Sequence, residues 1–219
     1  MSADDLDPVY ATLRATAHFV WANLVSVVGI SVCWFLAALP VVTIGPATVG
    51  AYAAVLSLRE DRDASVIASD GVDRSAVTAT VREQFVHATL IGLVPLVLVG
   101  IAASYAGAYL ATSALAPGLL ALAGVNAAAY AALVSIPTLL GLAQGDAVAD
   151  AVTGGYVWTA RHAVGAVALG VVTAALLAAA SVLTIAVIVL FAGVAAAFHV
   201  EFVTGVAATD ETLSPAPRP

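Results

Sequence analysis

The chain has 219 residues, 62% of them hydrophobic and 10% charged, and its seven Arg against fourteen Asp plus Glu, with no Lys, give a formal net charge of −7. Ordinary soluble domains carry about 25% charged residues, so the composition belongs to the membrane class and excludes a conventional water-soluble core. The acidic balance also excludes nucleic acid as a partner, because phosphate binding needs a basic surface.

The Ala, Val and Leu runs show no period-two alternation, which predicts helices that pair their own backbone groups rather than a barrel. Residues 1–17 read as a cytoplasmic lead-in: Asp7-Pro8 opens a helix, and Tyr10, Leu13 and Ala17 share its interfacial face. The acidic first ten residues lack a basic leader region, so no cleaved signal peptide is expected. Span one is expected over 18–39, ending at Pro40. Span two, 46–58, reaches only about 20 Å, so either the bilayer thins there or the turn from Pro40 to Pro46 dips below its surface. A charged loop from Arg59 to Ala79 follows, with a helix start at Asp73, and span three covers 85–110.

Span four is placed at 117–142, ending in the polar turn Gln144-Gly145-Asp146, and an amphipathic piece with Tyr156 and Trp158 suits the headgroup level. The apolar stretch from Ala163 to Gly205 is about twice a bilayer in length if helical, which predicts two spans, 163–181 and 184–205, with a bend near Ser181 to Thr184. One long bent helix is the alternative. Residues 207–219 read as a disordered cytoplasmic tail.

All seven arginines, at 14, 59, 62, 74, 82, 161 and 218, then fall on one side. By the positive-inside rule the chain reads as an all-α, polytopic transmembrane bundle of about six spans in the cell membrane, with both ends cytoplasmic and the lipid bilayer as its first partner. The Asp-rich, Lys-free composition is similar to that of proteins from extreme halophiles. Small-residue stripes, Gly100-Ser104-Ala108 and Ala166-Gly170-Ala174-Ala178, suit close helix packing inside the bundle or between copies in a homo-oligomer.

The turn Leu39-Pro40-Val41-Val42-Thr43-Ile44-Gly45-Pro46-Ala47, followed by Gly50 and Tyr52, writes a helix hairpin into local sequence: Pro40 stops one helix and Pro46 starts the next without needing a donor. The first amides of the second helix, with Thr43, Gly45, Pro46 and Thr48, would form an anion or sugar-hydroxyl site; the plainer reading is that the threonines only cap the turn. In span one, Asn23, Ser26, Cys33, Trp34 and Ala37 share a face, as do Asn126, Tyr130 and Pro137 in span four. These amides either bond between helices or line a polar pocket between spans one, two and four, completed by Tyr52 and with Pro95 and Pro137 kinking its walls.

His199 and Glu201, two apart on a helix, point almost oppositely and cannot share a metal ion; Glu201 is expected to pair with an arginine such as Arg82 or Arg161. Glu83 and His87 share a face without further ligands. No metal or cofactor site is expected, and no nucleotide or nucleophile motif is present. Cys33 reads as an inert buried thiol.

The hairpin turn just quoted, Asn23-Leu24 before Trp34, the Gly50-Ala51-Tyr52 run and Phe85-x-x-Ala88-Thr89-Leu90-x-Gly92-Leu93 together resemble the YesL-like membrane proteins, a family of unknown function in bacteria and archaea. The resemblance covers about residues 23–92, with a weaker match in Arg161-His162. Members stand beside carbohydrate-uptake genes, particularly those of ABC-type sugar importers. It therefore implies a non-enzymatic accessory or scaffold for carbohydrate transport, with an importer permease as partner and no catalytic residues to carry over. The competing expectation is a small solute carrier or channel.

Overall fold

The computed structural model describes residues 7–63, 72–182 and 190–213, and its elements among them are all helical. Helices α1 (Asp7–Ala22) and α2 (Leu24–Ala38) meet at a 94° bend. The cause is local: Asn23 leaves the helical region at φ −119°, ψ 31°, and its Nδ2 donates to the Phe19 carbonyl at 3.0 Å, an alternative to helix continuation that Asn side chains offer. The change of direction thus falls at Asn23 and not between residues 17 and 18. That leaves α2 only 15 residues, about 22 Å.

Pro40 ends the α2 hairpin arm, a single 3-10 turn covers Val41–Thr43, and α3 runs Ile44–Asp63. Helix α4 (Arg74–Thr112) begins where the Asp73 carboxylate accepts the Ser75 and Ala76 amides at 3.0 and 3.1 Å, satisfying donors that a helix start leaves orphaned. Ser113 at φ 52° closes it, and α5 (Leu115–Gln144) returns alongside until Gly145, at φ 91°, supplies the left-handed cap. Helices α6 (Val148–Arg161), α7 (Ala163–Val182) and α8 (Ala192–Leu213) complete the chain. The bend expected near Ser181 to Thr184 runs into residues 183–189, outside the described set, as are 64–71 of the charged loop. Helix α8 continues to Leu213, so 207–213 is helical where a tail was expected; 214–219 lie outside the described residues.

The bundle is fixed by backbone contact between α3 and α4. A Cβ on Gly45 would collide with the Ala88 carbonyl, and one on Gly92 would stand 2.8 Å from the Gly45 Cα, so only glycine permits this approach. Gly50 lies next along the same crossing, against Val81, which makes the pair antiparallel. Since α4 runs on for about 30 Å beyond Gly92, the α4–α5 hairpin projects well past the start of α3. The Pro40 to Pro46 turn therefore lies far below the α4–α5 turn. By contrast Gly100, from the small-residue stripe of α4, has no atom within 4 Å of its Cβ position. In α7, Ala166 is buried and Gly170 packs against Leu133.

Four helices are long and apolar enough to cross a membrane (in α3, α4, α5 and α7), or five if α1 and α2 together form one bent span. Among the described residues, the other segments expected to span, α2 and the apolar part of α8, Ala192–Val206, are shorter than the roughly 30 Å hydrocarbon core requires, with 184–189 of the expected last span outside that set. The main core joins Phe19, Val27, Val49, Tyr52, Leu140 and Val200 from five helices. Leu169, Phe198 and Phe202 form a second. Cys33, expected to be buried, is exposed on the outer side of α2.

Gly45→Val should destabilise the fold by about 1–3 kcal/mol or more through overpacking at an unyielding backbone, read as a lower melting temperature in detergent. Gly107→Ala, with open space at its Cβ position, should be neutral. At Asp73 the bond from the Ser75 side chain, then the Ala76 and Ser75 amides, holds the carboxyl below its ordinary range. Its contribution is therefore present above the unfolded-state carboxylate pKa and lost as pH falls through the lower folded value. Asp73→Ala should accelerate amide exchange at Ser75 and Ala76 at neutral pH, with the difference from wild type vanishing in strong acid.

Candidate functional site

A cavity of about 740 Å³ opens where the α4–α5 hairpin rises past the beginnings of α3 and α8. Its walls are Pro95 to Ala106 of α4 and Val125 to Leu139 of α5; its floor comes from the Ile44–Tyr52 and Phe191–His199 stretches, with Trp34 and Thr173 at the sides. The lining contains no charged residue, and alanine dominates it. Six polar side chains reach it: Trp34, Thr48, Tyr52, Ser135, Thr173 and His199.

The hydrogen atoms of all six are engaged within the chain. Trp34 Nε1 donates to Thr48 Oγ1 at 3.1 Å, and Thr48 donates back to the Ile44 carbonyl at 2.8 Å. Ser135 donates to the Ala132 carbonyl at 2.8 Å. Thr173 has one hydroxyl hydrogen, directed at the Leu169 carbonyl at 2.7 Å, so its oxygen must accept at the 2.7 Å contact with His199 Nε2. This assigns the neutral Nε2–H tautomer, and the Tyr52 hydroxyl accordingly donates to Nδ1 at 2.7 Å. A directed chain, Tyr52 to His199 to Thr173 to Leu169, ties α3, α8 and α7 together. Tyr52 and His199 are 1% and 6% exposed, so neither has water as an alternative partner.

Toward the end of α8, the Arg59 guanidinium lies 3.0 Å from Glu201 and donates to Thr204 Oγ1 at 3.3 Å. The arginine that Glu201 meets is thus Arg59, from α3, and not Arg82 or Arg161. Glu201 and His199 do diverge, each toward a different partner. Among the described residues no three His, Cys, Asp or Glu side chains gather closely enough to hold a metal ion.

Of the residues singled out in the sequence, Trp34, Gly45, Thr48 and Tyr52 line the cavity. Five do not. Asn23 closes the α1 bend. The Thr43 hydroxyl faces the Pro40 carbonyl at 2.7 Å and that of Ala37, capping the turn. Pro46 is buried in the first turn of α3. Asn126 folds its Nδ2 back to the Leu122 carbonyl at 2.8 Å on the outer surface, and Tyr130, also outward, stacks edge-on against Tyr156 at 6.4 Å. The reason is rotation: Val125, Ala129 and Ala132 form the cavity-facing stripe of α5, and residues one position further on turn about 100° away from it. The pocket expected between spans one, two and four is therefore bounded chiefly by α3, α4, α5 and α8, with Trp34 of α2 and Thr173 of α7 at its sides. Pro95 lines it and Pro137 is buried, each inside an unbroken helix.

His199, Thr173 and Ser135 are the members the sequence did not assign. The signal available was an imidazole inside an apolar run, which must find partners in its own fold. Its partners were not visible, because they lie on other helices. Removing either end of the Tyr52–His199 bond leaves a buried polar atom unmet, at about 1–3 kcal/mol. Tyr52→Phe and His199→Leu should each lower the melting temperature in detergent, and the double variant should fall short of their sum; strict additivity would show that the two groups are uncoupled.

Residues 19–105 match the family described as Protein of unknown function, DUF624, less than half of the chain but including the hairpin turn and the Gly45–Gly92 crossing. No curated protein and no solved structure matches the chain. The chain is thus similar, from the end of α1 to the cavity-lining part of α4, to a family whose activity is undefined.

Proposed function

We propose that this chain is a non-enzymatic accessory or scaffold protein of an ABC-type carbohydrate importer, set in the cell membrane with both ends cytoplasmic and not itself a carrier. The observation that supports this reading is the closed set of hydrogen bonds around the cavity. A sugar presents many hydroxyls that must exchange water for protein donors and acceptors, and an anion needs donors above all. Every side-chain donor on the cavity wall is already engaged within the chain, and no charge lines it. The association with carbohydrate uptake comes from the YesL-like resemblance of residues 23–92.

The outer surface favours lateral partnership. Val97, Leu119 and Leu122 lie on the projecting α4–α5 hairpin, each more than half exposed, beside Asn126. Association in lipid depends on close packing and interhelical hydrogen bonds, and Asn126 retains its amide oxygen for such a bond. The cytoplasmic placement of both ends follows the arginine distribution and requires an even number of crossings.

A photocrosslinking residue at Val97 or Leu122, in cells growing on an imported sugar, should capture an importer permease, whereas the same probe at Cys33 should not. Failure of every hairpin position to capture a permease subunit would reject the reading. The purified protein in liposomes should move neither sugar nor inorganic anion; measurable flux would favour a carrier instead.

A further inference from the structure

We infer that the cavity is a binding site for a neutral membrane amphiphile, an apolar chain bearing a single hydroxyl-type donor, and that it discriminates against anionic lipids of the same chain length. The inference goes beyond the accessory role and does not depend on it. It rests on three features of the cavity wall.

The first is size and surface. About 740 Å³ lies within the roughly 300–1,000 Å³ range of single-ligand sites. The space exists because Ala103, Ala106, Ala129, Ala132 and Ala195 stand where larger side chains would close it. The second is location: its walls are stretches of α4 and α5, two helices long and apolar enough to cross a membrane, which puts the site within reach of a ligand partitioned into lipid. The third is its hydrogen-bond polarity. With the indole, imidazole and hydroxyl hydrogens turned inward, what the polar side chains offer to a ligand is oxygen lone pairs. Thr48 and Thr173 have each already accepted one bond, from Trp34 and His199. Ser135 Oγ donates to Ala132 and accepts from no described residue, which makes it the most open acceptor on the wall.

An acceptor-only surface selects by chemistry. A carboxylate or phosphate would bring further lone pairs to a wall of lone pairs, with no cation to compensate. A pure hydrocarbon would fit but leave the Ser135 oxygen unmatched. A long-chain alcohol fills the apolar volume and supplies the one missing donor. One neutral hydrogen bond of this kind corresponds to roughly a three- to tenfold preference for alcohol over alkane.

The test uses the full-length protein in detergent with a hexadecanol carrying a mid-chain diazirine, photolysed and mapped by peptide mass spectrometry. Label is expected on α4 and α5 near Ala103 and Ala129. Unlabelled hexadecanol should displace it roughly three- to tenfold more effectively than hexadecane, and ionised hexadecanoate should compete no better than the alkane. Ser135→Ala, which leaves the Tyr52–His199–Thr173 chain intact, should bring the alcohol-to-alkane ratio close to one without changing the melting temperature. Ala129→Phe should abolish cavity labelling. Hexadecanoate competing as well as hexadecanol, label spread evenly over the outer helix faces, or an unchanged ratio in Ser135→Ala would each overturn the assignment.

Discussion

The bundle is organised around one place where two backbones touch. Gly45 lies against the Ala88 carbonyl and Gly92, with no side-chain volume between the helices. That contact sets the height at which α3 begins, and with it the floor of the cavity. Because the contact falls about 30 Å short of the end of α4, the rest of the α4–α5 hairpin has, among the described residues, no third helix of that hairpin's length. The opening between the hairpin and the starts of α3 and α8 is a direct result. Two glycines thus help determine where this cavity lies, and both line it.

The second organising constraint is the solvent. In hydrocarbon an unmatched donor has no water to turn to, so matching a buried hydroxyl, indole or imidazole inside the chain is favoured, although the Thr16 hydroxyl and the Trp158 indole nitrogen are buried without a partner among the described residues. Many of the described threonines and serines do this by bonding back to the carbonyl four residues earlier, as Thr48, Thr89, Ser104, Thr138 and Thr159 do. His199 cannot, and it becomes a junction between helices. Ser31 is a smaller instance: it donates to the Val27 carbonyl and accepts the Gly193 amide at 2.8 Å, which fixes the start of α8 against α2. Polar residues here join apolar helices to one another and leave the remaining surface to lipid.

Much of the architecture was legible in local sequence. The Asp73 cap, the Pro40 to Pro46 turn and the Gln144-Gly145 stop each act over a few residues, and each is where the pattern placed it. The break at Asn23 was harder, because an Asn within an apolar run reads equally as a buried hydrogen-bonding group or as a helix terminator. At the site, Trp34, Thr48 and Tyr52 were legible because they flank one turn. His199 was not, since its partners lie 147 and 26 residues away, and its relation to Glu201 could be excluded locally while its bond to Tyr52 could not be inferred. Asn126 and Tyr130 show the opposite failure: their polarity drew attention, yet polarity does not say which side of a helix faces inward.

The unequal lengths of the helices also bear on where such a protein can reside. Helices α4 and α5 have 39 and 30 residues, whereas α2 has 15. A bilayer matched to the long pair leaves the short elements with lipid tails stretched over them, and one matched to the short elements forces the long pair to tilt. Such hydrophobic mismatch costs fractions of a kcal/mol per Å. Unequal helix lengths of this kind are what sorts proteins among membranes of different thickness, independently of any partner.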